Sequence, residues 1–149
     1  MSAAPRPFEP LAAVPGVRAA FIPRLAGIDV DTDRETALAR LGPAHAQFLR
    51  ARGFDPARLA TAEQIHGAGV AAVSAPGSHA GVDALVTARR GLALGIYVAD
   101  CAAVFLADRR GRAVGLVHSG RAGTAANITG ATIDLMVHEH GVDPADLVV

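Results

Sequence analysis

Three residues whose side chains bind transition metals lie in the middle of the chain: His66, Cys101 and His118. Each stands where an apolar run, typical of a buried strand, gives way to a loop in which side chains from neighbouring strands can converge. Imidazole and thiolate suit zinc, and three protein ligands leave a fourth position open for water or substrate. Their spacings match no local metal motif. The residues alone therefore leave two interpretations open, a metal site or hydrogen-bonded structural histidines.

Asp100 stands directly before Cys101, between two apolar runs. A buried carboxylate is costly unless it is paired or hydrogen-bonded. We therefore predict one of two roles for Asp100. It either orients a ligand histidine through a hydrogen bond to the ring nitrogen that does not bind the metal, or it caps the following loop.

A glycine-containing segment follows His118 and leads into a predicted helix. It offers Ser119, Gly120, Arg121 and Thr124 at a place where free backbone N–H groups and the helix dipole favour an anion. Phosphate is the candidate ligand. The alternative is a simple N-cap at Thr124, with glycines that allow close packing.

The elements that must position these residues are predicted from periodicity and from turn residues. Residues 1–16 carry four prolines and predict a loose segment, with a first strand over 17–22. Thr32 and Glu35 form a capping-box pattern that opens a helix. Gly42-Pro43 is expected to break this helix, so a helical hairpin is predicted up to Gly53.

A sheet core is expected from residue 60 onward, where short apolar runs alternate with glycines. Strands are predicted over 60–66, 70–73, 84–87, 92–98, 102–107 and 113–118, with a hairpin turn at 109–112. A long helix is expected over 124–140, and 146–149 resembles the start of a further strand. The predicted class is α/β, with α+β as the alternative: one domain whose mixed sheet is flanked by helices.

Composition narrows the classes of function. The 149 residues are 51% hydrophobic, enough for one core, and 14 basic residues balance 14 acidic ones, so no net field favours nucleic acid. One cysteine excludes an internal disulfide. The N-terminus lacks a signal-peptide pattern, and Asp100 interrupts the longest apolar run. These features predict a soluble cytoplasmic protein with a small-molecule partner, no nucleic acid and no membrane.

Four ordered motifs resemble one family. They are Gln64–Gly67, Val82–Thr87, Ala99–Cys101 and Val117–Gly120. These are similar to the QVHG, ADALVT, ADC and HAGWRGT signatures of the YfiH/laccase-domain family. The resemblance covers roughly residues 17–149, and Phe21–Arg24 also looks like the family's early strand.

The resemblance implies that His66, Cys101 and His118 are the metal ligands and the catalytic residues, with zinc as the expected ion and copper as the alternative. It also implies a purine nucleoside-processing enzyme that carries out phosphorolysis of adenosine, inosine or methylthioadenosine and deamination of adenosine. Arg24 or the loop around Arg121 would then hold phosphate, and Gln64 would support the ligands together with Asp100.

Two departures from the family pattern bear on these expectations. The loop after His118 lacks the family's tryptophan and shifts its arginine, and the family normally continues well past Val149, so 17–149 is expected to lack a C-terminal part. Three alternatives stay open: a copper-dependent polyphenol oxidase, a catalytically impaired metal-binding remnant that pairs with a second copy of the chain, and a nucleophilic Cys101 activated by His118.

Overall fold

Two β-sheets form the centre of the fold in the computed structural model, which describes residues 8–149. Their short, apolar strands alternate with turns, as the sequence predicts. The strands are β1 Leu59–Ala62, β2 Val70–Ala72, β3 Gly77–His79, β4 Ala84–Thr87, β5 Ala93–Gly95, β6 Ala102–Asp108, β7 Val114–Ser119 and β8 Leu147–Val148.

The larger sheet has five strands in the order β2-β4-β7-β6-β8, and the smaller has the order β3-β1-β5. β2 and β4 are parallel, whereas β4, β7, β6 and β8 pair antiparallel. The three strands of the smaller sheet are all parallel. The predicted α/β class with mixed strand directions is therefore confirmed, although the strands divide between two sheets.

The predicted hairpin turn at 109–112 is confirmed between β6 and β7, and Gly111 supplies its positive φ of 71°. The buried carboxylate of Asp108 organises the turn, since it accepts from Arg112 Nε at 2.6 Å and from two backbone N–H groups of the turn. The Arg112 guanidinium lowers the pKa of Asp108 to about 2 because it stabilises the ionised form.

One face of the larger sheet is covered by α4 (Ile128–His140), whose Ile128 and Met136 pack against Leu106 and Val117. The predicted single helix over 124–140 is wrong at its start. A separate short helix, α3 (Arg121–Ala125), comes first, and Asn127 then adopts a left-handed conformation and caps α4. The chain turns there because asparagine tolerates positive φ and its side chain accepts from Gly130 N.

The long helix α2 (Arg34–Ala51) runs without a break, so the predicted helical hairpin is wrong. Asp33, and not Thr32, is its N-cap and accepts from Thr36 N at 2.9 Å. Pro43 is tolerated inside the helix because it and Ala39, whose carbonyl loses its partner, both lie on the exposed side, where water can solvate that carbonyl.

The N-terminal region differs from the predicted loose segment followed by a strand. Residues 1–7 lie outside the described part, but Glu9–Ala12 forms a short helix, α1, and Leu11 and Val14 are buried in a small core cluster. Residues 17–22 do not join a sheet, so the predicted first strand is wrong, and Val17 and Ala19 pack against this cluster.

A cavity of about 1080 Å³ lies against the face of the larger sheet that α4 leaves uncovered. Phe105 and Leu116 of the sheet and Leu41 and Leu49 of α2 line it. Among residues 8–149, no helix is both long and apolar enough to cross a bilayer.

Candidate metal centre

Register in the larger sheet brings Asp83 and His118 together. Ala84 pairs with Val117, so the preceding residue Asp83 lies opposite His118, and the His118 N–H donates to the Asp83 carbonyl at 2.7 Å. On its other side β7 pairs with β6, where Ala103 faces His118. Cys101 precedes β6 by one residue. The antiparallel ladder therefore carries Cys101 and His118 to the same end of the sheet.

His66 reaches this end from the smaller sheet, on the loop that follows β1. Gln64 and His66 both adopt left-handed conformations, with φ of 61° and 59°. Such conformations cost free energy for residues other than glycine and persist only where the surroundings enforce them. The buried Gln64 side chain helps to enforce this one, since its Nε2 donates to the Tyr97 carbonyl at 2.6 Å and its Oε1 accepts from Tyr97 N at 2.8 Å.

Helix α3 closes over the same loop at Gly123. A Cβ atom on this residue would lie 2.8 Å from the Gly67 carbonyl oxygen, too close for any side chain. Gly120 has a similar place at the cluster itself, where an added Cβ would lie 3.3 Å from Cys101 Sγ and 3.6 Å from His66 Cδ2. The two glycines therefore allow the segment after His118 to approach the predicted ligands closely.

The structure brings all three predicted ligands together. One ligand atom each from His66, Cys101 and His118 lies within 4.8 Å of the others, and the two imidazole rings stand nearly perpendicular with centroids 4.9 Å apart. His118 is buried, Cys101 is half-buried and His66 is exposed. The cluster therefore has a buried base and a side that a small molecule can reach from solvent.

The carboxylate that supports this cluster is Asp83, which the sequence analysis missed. Its Oδ1 accepts from His118 Nδ1 at 2.8 Å and from His66 N at 2.9 Å, while Oδ2 accepts from Ile65 N at 3.2 Å and Gly67 N at 2.9 Å. Burial alone would raise the pKa of the Asp83 carboxyl, but the hydrogen bonds from His118 and the three backbone groups together lower it below its ordinary value. One signal was available in the sequence, namely a lone acidic residue directly before the short, mainly apolar strand Ala84–Thr87.

The other predicted supporting residues have different surroundings. Asp100 is exposed and lies 3.9 Å from Cys101 Sγ, so it is the thiol and not a histidine that it approaches. Gln64 acts on the backbone of the loop that carries His66, as described above.

The predicted phosphate-binding residues are divided between two places. Ser119 and Thr124 follow the cluster and bond to each other, with 2.8 Å between their hydroxyl oxygens, and the Thr124 hydroxyl also donates to the Gly120 carbonyl at 2.7 Å. Arg121 is exposed at the start of α3. Arg24 lies in the wall of the large cavity, and the three clustered residues are not among the described residues that line it.

The donor set fits a metal ion. Because His118 Nδ1 is engaged by Asp83, its Nε2 remains as the nitrogen that faces the cluster, and imidazole and thiolate are ligands that both zinc and copper accept. A blue-copper centre usually adds a weak axial methionine. Within residues 8–149 the methionine is Met136, which packs against Gly115 on the opposite face of the sheet.

Fold and cluster together define an α/β protein with a three-residue centre of metal-ligand type, open to solvent on one side. The model of the family described as multi-copper polyphenol oxidoreductase laccase matches residues 26–149. The chain belongs to this family, which is the one that its motifs indicate.

Relatives and solved structures agree with this assignment. A purine nucleoside phosphorylase of Streptomyces griseus is 44% identical over 103 residues, which are 66% of this chain and 42% of that protein. One from Deinococcus radiodurans is 37% identical over 113 residues, 76% of this chain and 44% of that protein. The crystal structure of YlmD from Geobacillus stearothermophilus matches with a TM-score of 0.69 and 27% identity, over 81% of this chain and 47% of that one. The chain thus spans less than half the length of these relatives.

Proposed function

We propose that this chain is the metal-binding part of a purine nucleoside-processing enzyme, with zinc held by His66, Cys101 and His118. The observation that carries the proposal is the convergence of these three side chains, from two sheets, to within 4.8 Å. The names of the bacterial relatives support the substrate class. Three protein ligands with a fourth position open to solvent are typical of catalytic zinc, and the methionine within residues 8–149, Met136, packs on the opposite face of the sheet.

The chain's own residues would orient the substrate from the exposed side of the cluster. His118 lies at the buried base, so a nucleoside would approach past the exposed imidazole of His66. Zinc, when bound, would supply a Lewis acid and lower the pKa of a coordinated water. The half-buried Cys101 would serve as a ligand and not as the nucleophile, because its sulfur and one ligand atom of each histidine all lie within 4.8 Å of one another.

Two reactions fit this class of substrate. In phosphorolysis, a phosphate oxygen bonds to the anomeric carbon of the ribose while the N-glycosidic bond breaks and the purine leaves with a proton. In deamination of adenosine, water replaces the amine and ammonia leaves.

Arg121 is the best placed of the predicted phosphate-binding residues, since it is exposed and follows Gly120 directly. The hydroxyl protons of Ser119 and Thr124 are already used within the loop, because Thr124 donates to the Gly120 carbonyl and Ser119 can then donate to Thr124. They would contact phosphate only after rotating. Arg24 would require substrate that extends into the large cavity.

The first test is metal content by elemental mass spectrometry on protein purified without a histidine tag. We expect close to one zinc per chain in the wild type and a sharp loss in Cys101→Ala. His138→Ala is the matched control, because His138 is exposed in the last turn of α4. Equal zinc in wild type and Cys101→Ala would contradict the ligand assignment, and copper in place of zinc would favour the polyphenol oxidase alternative.

The second test is turnover. Adenosine, inosine and methylthioadenosine are incubated with the zinc-loaded protein, with and without phosphate, and the products are separated by chromatography. Adenine or hypoxanthine formed only with phosphate would indicate phosphorolysis, and inosine formed from adenosine would indicate deamination. Bound zinc without any of these products would contradict the enzymatic proposal and favour a metal-binding protein without turnover.

A further inference from the structure

Asp83 holds two of the proposed ligands through one carboxylate. Its two oxygens take four hydrogen bonds, three from consecutive backbone N–H groups of residues 65–67 and one from the ring of His118. Consecutive N–H groups in a loop with left-handed residues form a concave anion site, and here the anion is a side chain of the same chain. The loop of His66 and the ring of His118 are therefore fixed relative to each other through Asp83.

We propose that Asp83 is the positioning residue of the metal centre: it sets the tautomer of His118 and the path of the loop that carries His66, and so assembles the site before the metal binds. This inference rests on the proposed metal site but makes no assumption about the substrate. Asp83 touches neither the proposed ion position nor substrate, because its oxygens are directed at the far nitrogen of His118 and at the loop backbone.

The tautomer of His118 follows from the two carboxylate oxygens of Asp83, which act as hydrogen-bond acceptors. Both oxygens of Asp83 accept from backbone N–H donors, so the group that faces His118 Nδ1 is an acceptor and the ring proton lies on Nδ1. Nε2 then keeps its lone pair for a metal ion. Histidine ligands commonly place a carboxylate in this position, and its loss typically weakens metal affinity by about 10- to 100-fold.

Asp83→Asn separates this role from packing, because it keeps the shape and exchanges one oxygen for an NH₂ group. With NH₂ in place of Oδ2, the donors of Ile65 and Gly67 lose their acceptor and the loop of His66 is released. With NH₂ in place of Oδ1, the amide donates to His118 Nδ1, and the ring proton moves to the nitrogen that should bind metal. Either orientation disables one ligand.

Asp108→Asn is the matched control. Asp108 is also a fully buried carboxylate of the larger sheet, and it also accepts several hydrogen bonds, but it lies at the β6–β7 turn at the opposite end of the ladder. The zinc Kd of wild type and both variants is measured by competition with a chromophoric chelator. We expect a Kd about 10- to 100-fold weaker in Asp83→Asn and unchanged in Asp108→Asn.

A second measurement, ¹⁵N NMR of the imidazole nitrogens of His118 in metal-free wild-type protein, tests the proposal even if Asp83→Asn fails to fold. We expect the proton on Nδ1. A proton on Nε2, or a zinc Kd in folded Asp83→Asn equal to that of wild type, would overturn the proposal. A wild type that binds no zinc yet shows the Nδ1 tautomer would refute the proposed function and leave the positioning of His118 by Asp83 supported.

Discussion

Gly120→Ala is the substitution that most directly tests whether the cluster binds a metal. Gly120 has φ of −78° and ψ of −177°, which alanine adopts without strain. Its added Cβ would lie 3.3 Å from Cys101 Sγ, 3.6 Å from His66 Cδ2 and 3.8 Å from His118 Cε1. The methyl group would therefore lie within 4 Å of a side-chain atom of each of the three proposed ligands.

The expected magnitude follows from these distances. The 3.3 Å contact is tighter than nine in ten real Cβ contacts, so the sulfur must move by a few tenths of an ångström. Metal–ligand distances tolerate only about 0.2 Å. We expect the zinc Kd to rise about tenfold, or about 1.4 kcal/mol. The free energy of unfolding of the metal-free protein should change by less than about 1 kcal/mol, because alanine also restricts the unfolded chain.

The assay is chelator competition for the zinc Kd, together with urea unfolding of the metal-free protein. Gly42→Ala is the control, since a Cβ there meets nothing within 4 Å and lies inside α2. It should leave the Kd unchanged. A Kd in Gly120→Ala within about twofold of wild type would refute the view that the three side chains share one ion.

Three further outcomes follow from the fold. Pro43→Ala should restore a missing helical hydrogen bond in α2 and raise the free energy of unfolding by about 1–3 kcal/mol in urea titrations, and no gain would contradict the proposed cost of the proline. The pKa of Asp108 is about 2 when folded against an ordinary 3.8, so its stabilising effect is complete above pH 3.8 and is lost as the pH falls toward 2. Asp108→Asn should lack this part of the acid transition, as followed by circular dichroism. Gln64→Ala should lower the free energy of unfolding by about 1–3 kcal/mol, because the backbone groups of Tyr97 lose both partners, and a change near zero would refute this role.

The sequence predicts the sheet core well, for a physical reason, and its motifs single out three residues that the structure brings together. Strands such as β4 and β6 are short apolar runs bounded by turn residues, a pattern that local chemistry sets. The prediction that His66, Cys101 and His118 bind a metal came from the four family motifs. The spacing of these residues alone could not exclude hydrogen-bonded structural histidines. What placed the trio together in space is the pairing of β4, β7 and β6, which no local pattern specifies.

The errors lie where tertiary surroundings outweigh local preference. Pro43 predicts a helix end, yet the exposed side of α2 accommodates it. β3 is short and mostly exposed, and its ladder with β1 depends on parallel pairing across a segment that includes β2. Asp83 could be seen in the sequence, but its function depends on the register that sets it opposite His118. Asp100 is adjacent to Cys101 in the sequence and was therefore predicted to support the ligands. Its side chain is exposed in the structure, whereas Asp83 is buried.

The division of the strands between two sheets gives the proposed ion a mechanical role. His66 follows a strand of the smaller sheet, whereas Cys101 directly precedes a strand of the larger sheet and His118 lies within one. An ion bound by all three would cross-link the sheets, and ligand binding to the folded state alone adds about 2.7 kcal/mol when free zinc is at 100 times its Kd. A chelator would then destabilise the folded protein, because it lowers the concentration of free metal. The unfolding temperature should fall in proportion to the logarithm of that concentration.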